Sequence, residues 1–287
     1  MQNIILIPIY NDWTSLNILL KKIVDLDIFR KNVTILIIND FSTEKIYIKN
    51  FLFSKKLKIK IINLKKNIGS QRCIAVGLNY INKTYPNAST IIMDGDGEDN
   101  PLVIKKLLNF SKIKGNEIIV VNRTTRTENI FIKILYEINF INFLFLTHKF
   151  LRFGNFSLLK CTALNKIKQS KDLWLAYPST IIKNFDNVKT IYAKKEVRYV
   201  GLSKMSYLNL IIHAIRILCV LRKKIFINSI IYTILFILSF IAVNRIFFLI
   251  LILYLILLNI FLLVAQPVFQ KKIPLNYLNL IKNIIKI

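Results

Sequence analysis

The chain has 287 residues, a formal net charge of +27, a hydrophobic content of 54% and positive mean hydropathy. That length allows one or two domains, and so apolar a chain with so much lysine is no ordinary soluble protein but a basic globular part joined to membrane segments. The three cysteines, Cys73, Cys161 and Cys219, are scattered, which excludes a disulfide framework or zinc spacing and fits small core residues in a reduced compartment.

Met1-Gln-Asn has no basic n-region, and the first apolar run stops at Pro8-Ile-Tyr-Asn-Asp12, so no secretory signal is expected and the N-terminal part should stay in the cytoplasm. Residues 3–9 read as a buried strand, followed by helical spacing over Trp13–Leu26. Val33–Ile38 and Leu57–Asn63 are the second and third strands. Asn67-Ile-Gly69 opens a helix that runs to about Tyr80. Ser89–Met93 is the fourth strand, Pro101–Phe110 a helix with proline at its start, and Glu117–Val121 a fifth strand. Strands alternating with helices predict right-handed crossovers and a mainly parallel sheet, with polar clusters gathered where the strands end.

Asn129–Leu151 is apolar but interrupted by Lys133, Glu137 and His148, which predicts an interfacial or core helix rather than a span. Residues 153–200 read as a second α/β portion. Lys204–Leu221 is an amphipathic helix with basic flanks, suited to a membrane interface. Ile225–Val243 and Ile246–Ala265 carry no charge, and at about 1.5 Å per residue each reaches roughly 28–30 Å, the hydrocarbon thickness. Asn244-Arg245 alone separates them, so they predict a hairpin. Arg222, Lys223, Lys224, Lys271 and Lys272 flank it, which places both flanks in the cytoplasm and Arg245 outside. The tail Leu275–Ile287 is again basic and amphipathic.

The stretch Ile91-Ile-Met-Asp94-Gly-Asp96-Gly-Glu98-Asp99-Asn-Pro101 dominates the chemistry. In an extended segment Asp94 and Asp96 leave the same side of the backbone. Carboxylates converging with no nearby Lys or Arg repel, and a hard divalent cation relieves that repulsion, held by one or two carboxylates plus substrate phosphates. Alone, the motif reads equally well as a solvated acidic turn. His148 and His213 lie in apolar helical runs and read as packing residues, as does Trp13 at the start of its helix; Tyr10 could stack on a base.

Seven blocks occur in order and together resemble a family 2 glycosyltransferase of the GT-A fold. They are Ile7-Pro8-Ile-Tyr10-Asn11-Asp12, Ile38-Asn39-Asp40-Phe-Ser42, Asn67-Ile-Gly69 through Ala75-Val-Gly77, Met93 through Pro101, Asn122-Arg123-Thr-Thr-Arg126, Gly154-Asn155-Phe156-Ser157, and Arg198-Tyr-Val-Gly201-Leu-Ser203-Lys204. The chain is most similar to membrane-bound polyprenyl-phosphate glycosyltransferases of the dolichol-phosphate mannose synthase and undecaprenyl-phosphate type. The resemblance implies that Pro8, Tyr10, Asp12, Asp40 and Asp94 serve the nucleotide, and that Asp94, Asp96 and Glu98 hold Mg²⁺ or Mn²⁺. It implies that Arg123, Arg126, Arg198, Ser203 and Lys204 handle the acceptor phosphate and donor pyrophosphate. Asp94, Asp96, Arg123, Arg126, Arg198 and Lys204 would carry the catalysis. The sixth block often reads Gly-Asp-Phe-Arg in the family; here Asn155 and Ser157 replace the Asp and Arg.

The implied fold is an α/β GT-A domain with a Rossmann-like, mainly parallel sheet, followed by interfacial amphipathic helices and a two-helix transmembrane hairpin. The implied divisions are a cytoplasmic catalytic domain over 1–203, an interfacial helix over 204–224, the hairpin over 225–268 and a basic amphipathic tail over 269–287. The implied reaction is an inverting hexosyl transfer from a nucleotide-diphosphate sugar to a polyprenyl phosphate. Its site is the cytoplasmic face of the inner membrane, with both termini cytoplasmic. The partners are the donor, the acceptor and the bilayer, with room for a homo-oligomer and no nucleic acid. A hydroxyl acceptor would instead need a general base, for which Asp99 or Glu98 is available. A non-catalytic basic protein binding anionic lipid is the remaining alternative; it predicts no effect of changing Asp94 or Asp96.

Overall fold

The computed structural model describes residues 2–26, 32–45, 58–115, 117–124, 130–201, 206–243, 246–271 and 273–287. Its elements in chain order are β1 (Asn3–Ile9), α1 (Trp13–Val24), β2 (Val33–Asn39), β3 (Lys58–Leu64), α2 (Ser70–Thr84), β4 (Ser89–Ile92), α3 (Val103–Phe110), β5 (Ile118–Arg123), α4 (Ile130–Thr147), β6 (Phe153–Leu159), α5 (Cys161–Ile167), α6 (Tyr177–Asn184), β7 (Lys189–Ala193), α7 (Tyr207–Val220), α8 (Arg222–Val243), α9 (Ile246–Gln270) and β8 (Ile281–Lys286). The chain divides into two compact units. One comprises Met1–Thr127, Arg152–Lys204 and Pro274–Ile287; the other comprises Glu128–Leu151 and Met205–Ile273.

The first unit is built on an eight-stranded sheet of order β7-β5-β6-β4-β1-β2-β3-β8. β4, β1, β2 and β3 run parallel, as do β5 and β7, whereas β6 is antiparallel to both its neighbours and β8 to β3. β1 and β2 are apolar on both faces because both are covered. Ile5, Ile7 and Ile9 pack with Ile35 and Ile37 against Leu16, Leu19 and Leu20 of α1 and Ile104 and Leu107 of α3. Ile4 and Leu6 face the other side, where α2 approaches so closely that a Cβ on Gly77 would lie 2.3 Å from Leu6 Cδ1. A side chain at 77 would have to displace the buried Leu6 methyls.

The α/β portion expected over 153–200 contributes β6 and β7 to this same sheet. One expectation changes. The tail, expected as a separate amphipathic segment over 269–287, supplies β8, whose Ile285, Ile284 and Asn283 pair with Ile61, Ile62 and Asn63 of β3. The physical reason is the open edge of β3, whose backbone N–H and C=O groups a returning strand satisfies.

The second unit is helical. α8 and α9 are long and apolar enough to cross a membrane, over Arg222–Ile241 and Ile246–Gln270. Ile234, Leu238, Ile250, Leu257 and Phe261 point outward. Polar groups link the helices: Asn259 donates to Ser229 Oγ at 2.9 Å, Asn228 to the Leu146 carbonyl at 2.9 Å, and Tyr254 to Asn142 Oδ1 at 2.9 Å. α4 is thus packed on the hairpin helices. Arg245 and Lys272 lie outside the described residues.

Candidate active site

The parallel strands deliver Tyr10–Asp12, Asp40–Ser42, Asn67–Gly69, Asp94–Asp99 and Arg123 to one sheet edge. Antiparallel β6 brings its amino end there, with Asn155; β7 leads into the segment 194–200. The clustering expected from the strand ends therefore holds.

After β4 the backbone leaves extended geometry. Gly97 takes φ +92°, and the turn closes on its own carboxylates: Asp94 N–H donates to Asp99 Oδ2 at 3.0 Å and Glu98 N–H to Asp96 Oδ1 at 3.1 Å. The segment after β7 lies over this turn. Glu196 N–H donates to the Glu98 carbonyl and Tyr199 N–H to the Asp96 carbonyl, both at 3.0 Å. A Cβ on Gly97 would sit 2.5 Å from the Tyr199 ring, so glycine is needed there for both φ and space.

The acids are not free of cations, contrary to the premise read from the sequence. Arg123 reaches Asp99 at 3.1 Å, Glu98 at 3.3 Å and Asp94 at 3.9 Å. Lys195 reaches Glu98 at 3.2 Å. Arg198 reaches Asp96 at 3.0 Å and also pairs with Asp12. These pairings span up to 186 residues of sequence, so no local pattern announces them.

Even so, negative charge is in excess at Asp94. Burial, then Asp99, then Asp96, push its carboxyl from 3.8 up to about 7. Burial also raises Asp96 and Asp99. Burial would lower Arg123, but Asp99, Asp94 and Glu98 outweigh it and keep the guanidinium charged.

A divalent cation fits Asp94 and Asp96 on that chemistry. Glu98, the expected third ligand, has its Oε2 paired with Arg123 and Lys195, and the described residues contain no group of three or more His, Cys, Asp or Glu arranged to hold a metal. The remaining ligands would have to be substrate oxygens and water.

Arg123, expected on the acceptor phosphate, is engaged by the acids. Arg126, Ser203 and Lys204 lie outside the described residues. On the nucleotide side, Tyr10 is exposed and Pro8 buried, while Trp13 belongs to the core. Asp40 is 2% exposed, and its carboxylate accepts from Ile68 N–H at 2.7 Å and Gly69 N–H at 2.8 Å. It holds the loop that starts α2. His148 and His213 belong to the helical unit.

The sequence reading missed a polar chain behind Asp94. Tyr177 N–H donates to Gln71 Oε1 at 2.7 Å, Gln71 to Asn155 Oδ1 at 2.9 Å, and Asn155 to Asp94 Oδ1 at 3.1 Å. Ser157, where the resembled family's block often reads Arg, is fully buried with its hydroxyl 2.7 Å from that of Tyr177.

A family model described as Glycosyl transferase family 2 matches residues 4–171. An uncharacterized glycosyltransferase of Synechocystis sp. is 26% identical over 224 residues, covering 71% of this chain and 64% of its own length. This chain thus spans less than two thirds of that relative. Among solved structures, glucosyl-3-phosphoglycerate synthase from Mycobacterium tuberculosis, with Mn²⁺, UDP-glucose and phosphoglyceric acid, matches at TM-score 0.54 and 12% identity over 78% of this chain and 79% of that one. TarS 1–349 of S. aureus, with UDP-GlcNAc, matches at TM-score 0.51 and 14% identity over 78% and 66%. At such identities the likeness is one of fold.

Proposed function

Because the chain belongs to glycosyl transferase family 2, we propose that it moves a hexosyl group from a nucleotide-diphosphate sugar to a polyprenyl phosphate at the cytoplasmic face of a membrane. The observation that carries this reading is Arg198, held between Asp12 of the loop after β1 and Asp96 of the acidic turn. Its Nε, Nη1 and Nη2 donate to the Val200 carbonyl, Asp96 and Asp12, so a cation neutralising Asp96 would free one arm of the guanidinium for phosphate oxygens. The solved relatives above, bound to UDP-sugars and in one case Mn²⁺, support the donor class.

Mg²⁺ or Mn²⁺ held by Asp94 and Asp96 would supply Lewis-acid neutralisation of the departing nucleotide diphosphate. Tyr10 offers an exposed ring for a base, and Asp40 keeps the neighbouring loop in place. A phosphate monoester has a second pKa near about 6, so the acceptor is mostly dianionic at pH 7 and needs aim more than a general base. The carboxylates that a hydroxyl acceptor would recruit, Glu98 and Asp99, are bound by Arg123, and Glu98 also by Lys195, which favours the phosphate acceptor. Direct displacement would invert the anomeric centre.

The proposed division is a cytoplasmic catalytic part over 1–203, completed by β8, an interfacial segment over 204–224 and a membrane hairpin over 225–268. Arg222, Lys223, Lys224 and Lys271 would lie on the cytoplasmic side.

The test is transfer by full-length, detergent-solubilised protein from a panel of UDP- and GDP-sugars to undecaprenyl phosphate with Mn²⁺. The expected product is a lipid-extractable phosphosugar, lost in Asp96→Ala. Transfer to diacylglycerol or a lipid-linked saccharide, with none to the phosphate, would overturn the acceptor assignment.

A further inference from the structure

Asparagine is a poor strand residue, yet three asparagines stand directly opposite one another on β2, β3 and β8: Asn39 opposite Asn63, and Asn63 opposite Asn283. Their amides are chained. Asn63 Nδ2 donates to Asn283 Oδ1 at 2.7 Å, and Asn39 Nδ2 donates to Asn63 Oδ1 at 2.8 Å. Asn39 is 6% exposed, so both ends of its amide need partners. Its Oδ1 takes the second, accepting from Ser42 N–H at 3.0 Å.

The chain continues into the loop after β1. Ser42 Oγ accepts from Asn11 N–H at 2.8 Å, and Asn11 Oδ1 accepts from Thr43 N–H at 2.8 Å and Glu44 N–H at 3.2 Å. Asn11 has φ +48° and lies between Tyr10 and Asp12. A continuous polar relay therefore joins the C-terminal strand to both loops assigned above to the donor nucleotide.

We propose that Asn283 is a positioning residue for donor binding, acting through Asn63 and Asn39 on the loops at 10–12 and 40–44; this rests on the nucleotide-sugar reading above. β8 is thereby more than an edge cover. With Oδ1 of Asn283 gone, Asn63 has no fixed acceptor on that side, its amide turns towards other partners, and Asn39 and Ser42 lose their fixed register. One hydrogen bond is worth about 1 kcal/mol, or roughly fivefold in an equilibrium, so the expected effect is modest and readable.

The experiment titrates UDP and GDP, each with Mn²⁺, into full-length protein in detergent. Asn283→Leu supplies bulk that keeps water from replacing the lost acceptor. Asn283→Thr suits a strand but ends an atom short of Asn63. Both should weaken binding of whichever nucleotide the unmodified protein takes, by about threefold to tenfold. Asn283→Asp keeps an acceptor oxygen and should restore binding to within about twofold. Lys282→Ala, at the neighbouring exposed position, which has no partner on β3, should leave it unchanged. Leucine and threonine variants that bind like the unmodified protein would overturn the proposal. So would an aspartate variant as weak as the leucine one, or an equal loss in Lys282→Ala. Failure of the unmodified protein to bind either nucleotide would remove the donor reading itself, and the proposal with it.

Discussion

Asn155 donates its side-chain amide to Asp94 Oδ1 at 3.1 Å, while Gln71 holds the same amide from behind at 2.9 Å. A neutral donor thus stands where the resembled family's block often reads an acid, beside a carboxyl already pushed to about 7 by burial and by Asp99 and Asp96. Asn155→Asp would exchange a hydrogen bond to a charged group, worth roughly 1.5–3 kcal/mol, for a further repulsion. The melting temperature should fall, and fall more in EDTA than in Mn²⁺, because a cation offsets the added charge. Equal falls in both conditions would place no cation near Asp94.

The raised Asp94 gives a signed pH dependence. Folded, it titrates at about 7; its ordinary value is 3.8. Between those values the folded chain binds more protons than the unfolded one, so its stability falls as pH rises through that window. Asp96 and Asp99 are raised too and act in the same direction. In EDTA, denaturation between about pH 4 and 7 should show this slope, and Asp94→Asn should flatten it. Mn²⁺ should flatten it in the unmodified protein, by favouring the ionised carboxylates. An Asp94→Asn slope equal to the unmodified one would mean that the proton sits elsewhere.

Arg123 is the principal neutraliser of Asp99, which is 2% exposed and 3.1 Å away. Arg123→Ala leaves that carboxylate buried without its cation. Breaking a buried pair costs roughly 3–5 kcal/mol, and about 2–3 kcal/mol is expected here because the Arg123 side chain keeps 30% exposure. Arg123→Lys should recover part of the loss, and Asp99→Asn in the Arg123→Ala background most of it. Chemical denaturation measures all three. A cost under about 1 kcal/mol would assign the pair to the solvated surface.

The strands β1 to β5 were legible because each is a short apolar run closed by polar residues, and their carboxyl ends carried the motifs. Asp12, Asp96 and Arg198 were expected together because each stands in one of the blocks that carry the family resemblance. Their mutual pairing was not, since it joins positions far apart in sequence. β8 was illegible for a related cause. Ile-Lys-Asn-Ile-Ile-Lys shows no clean alternation, and its partner β3 lies 220 residues away at Asn63. Asp40, which the resemblance implied for the nucleotide, shows a contact that no motif announced: its carboxylate accepts from Ile68 and Gly69 N–H and fixes the loop before α2. Motif position identifies the edge, and only the three-dimensional contacts distinguish a group facing substrate from one holding a loop.

Phe41 tests that distinction in the donor loops. It follows Asp40 with φ +61° and is 47% exposed. A left-handed conformation costs an L-residue roughly 1–2 kcal/mol, and nothing in the core repays it for an outward ring. Phe41→Gly should relieve that strain, less the extra unfolded-state freedom of glycine, for a net gain of about 0.5–1 kcal/mol. If the ring stacks on the donor base as an exposed aromatic can, nucleotide affinity should fall about fivefold, within the roughly 1–3 kcal/mol of a base–aromatic contact. Thermal denaturation and nucleotide titration of one variant read both effects. A rise in melting temperature with unchanged affinity would leave Tyr10 to meet the base without Phe41.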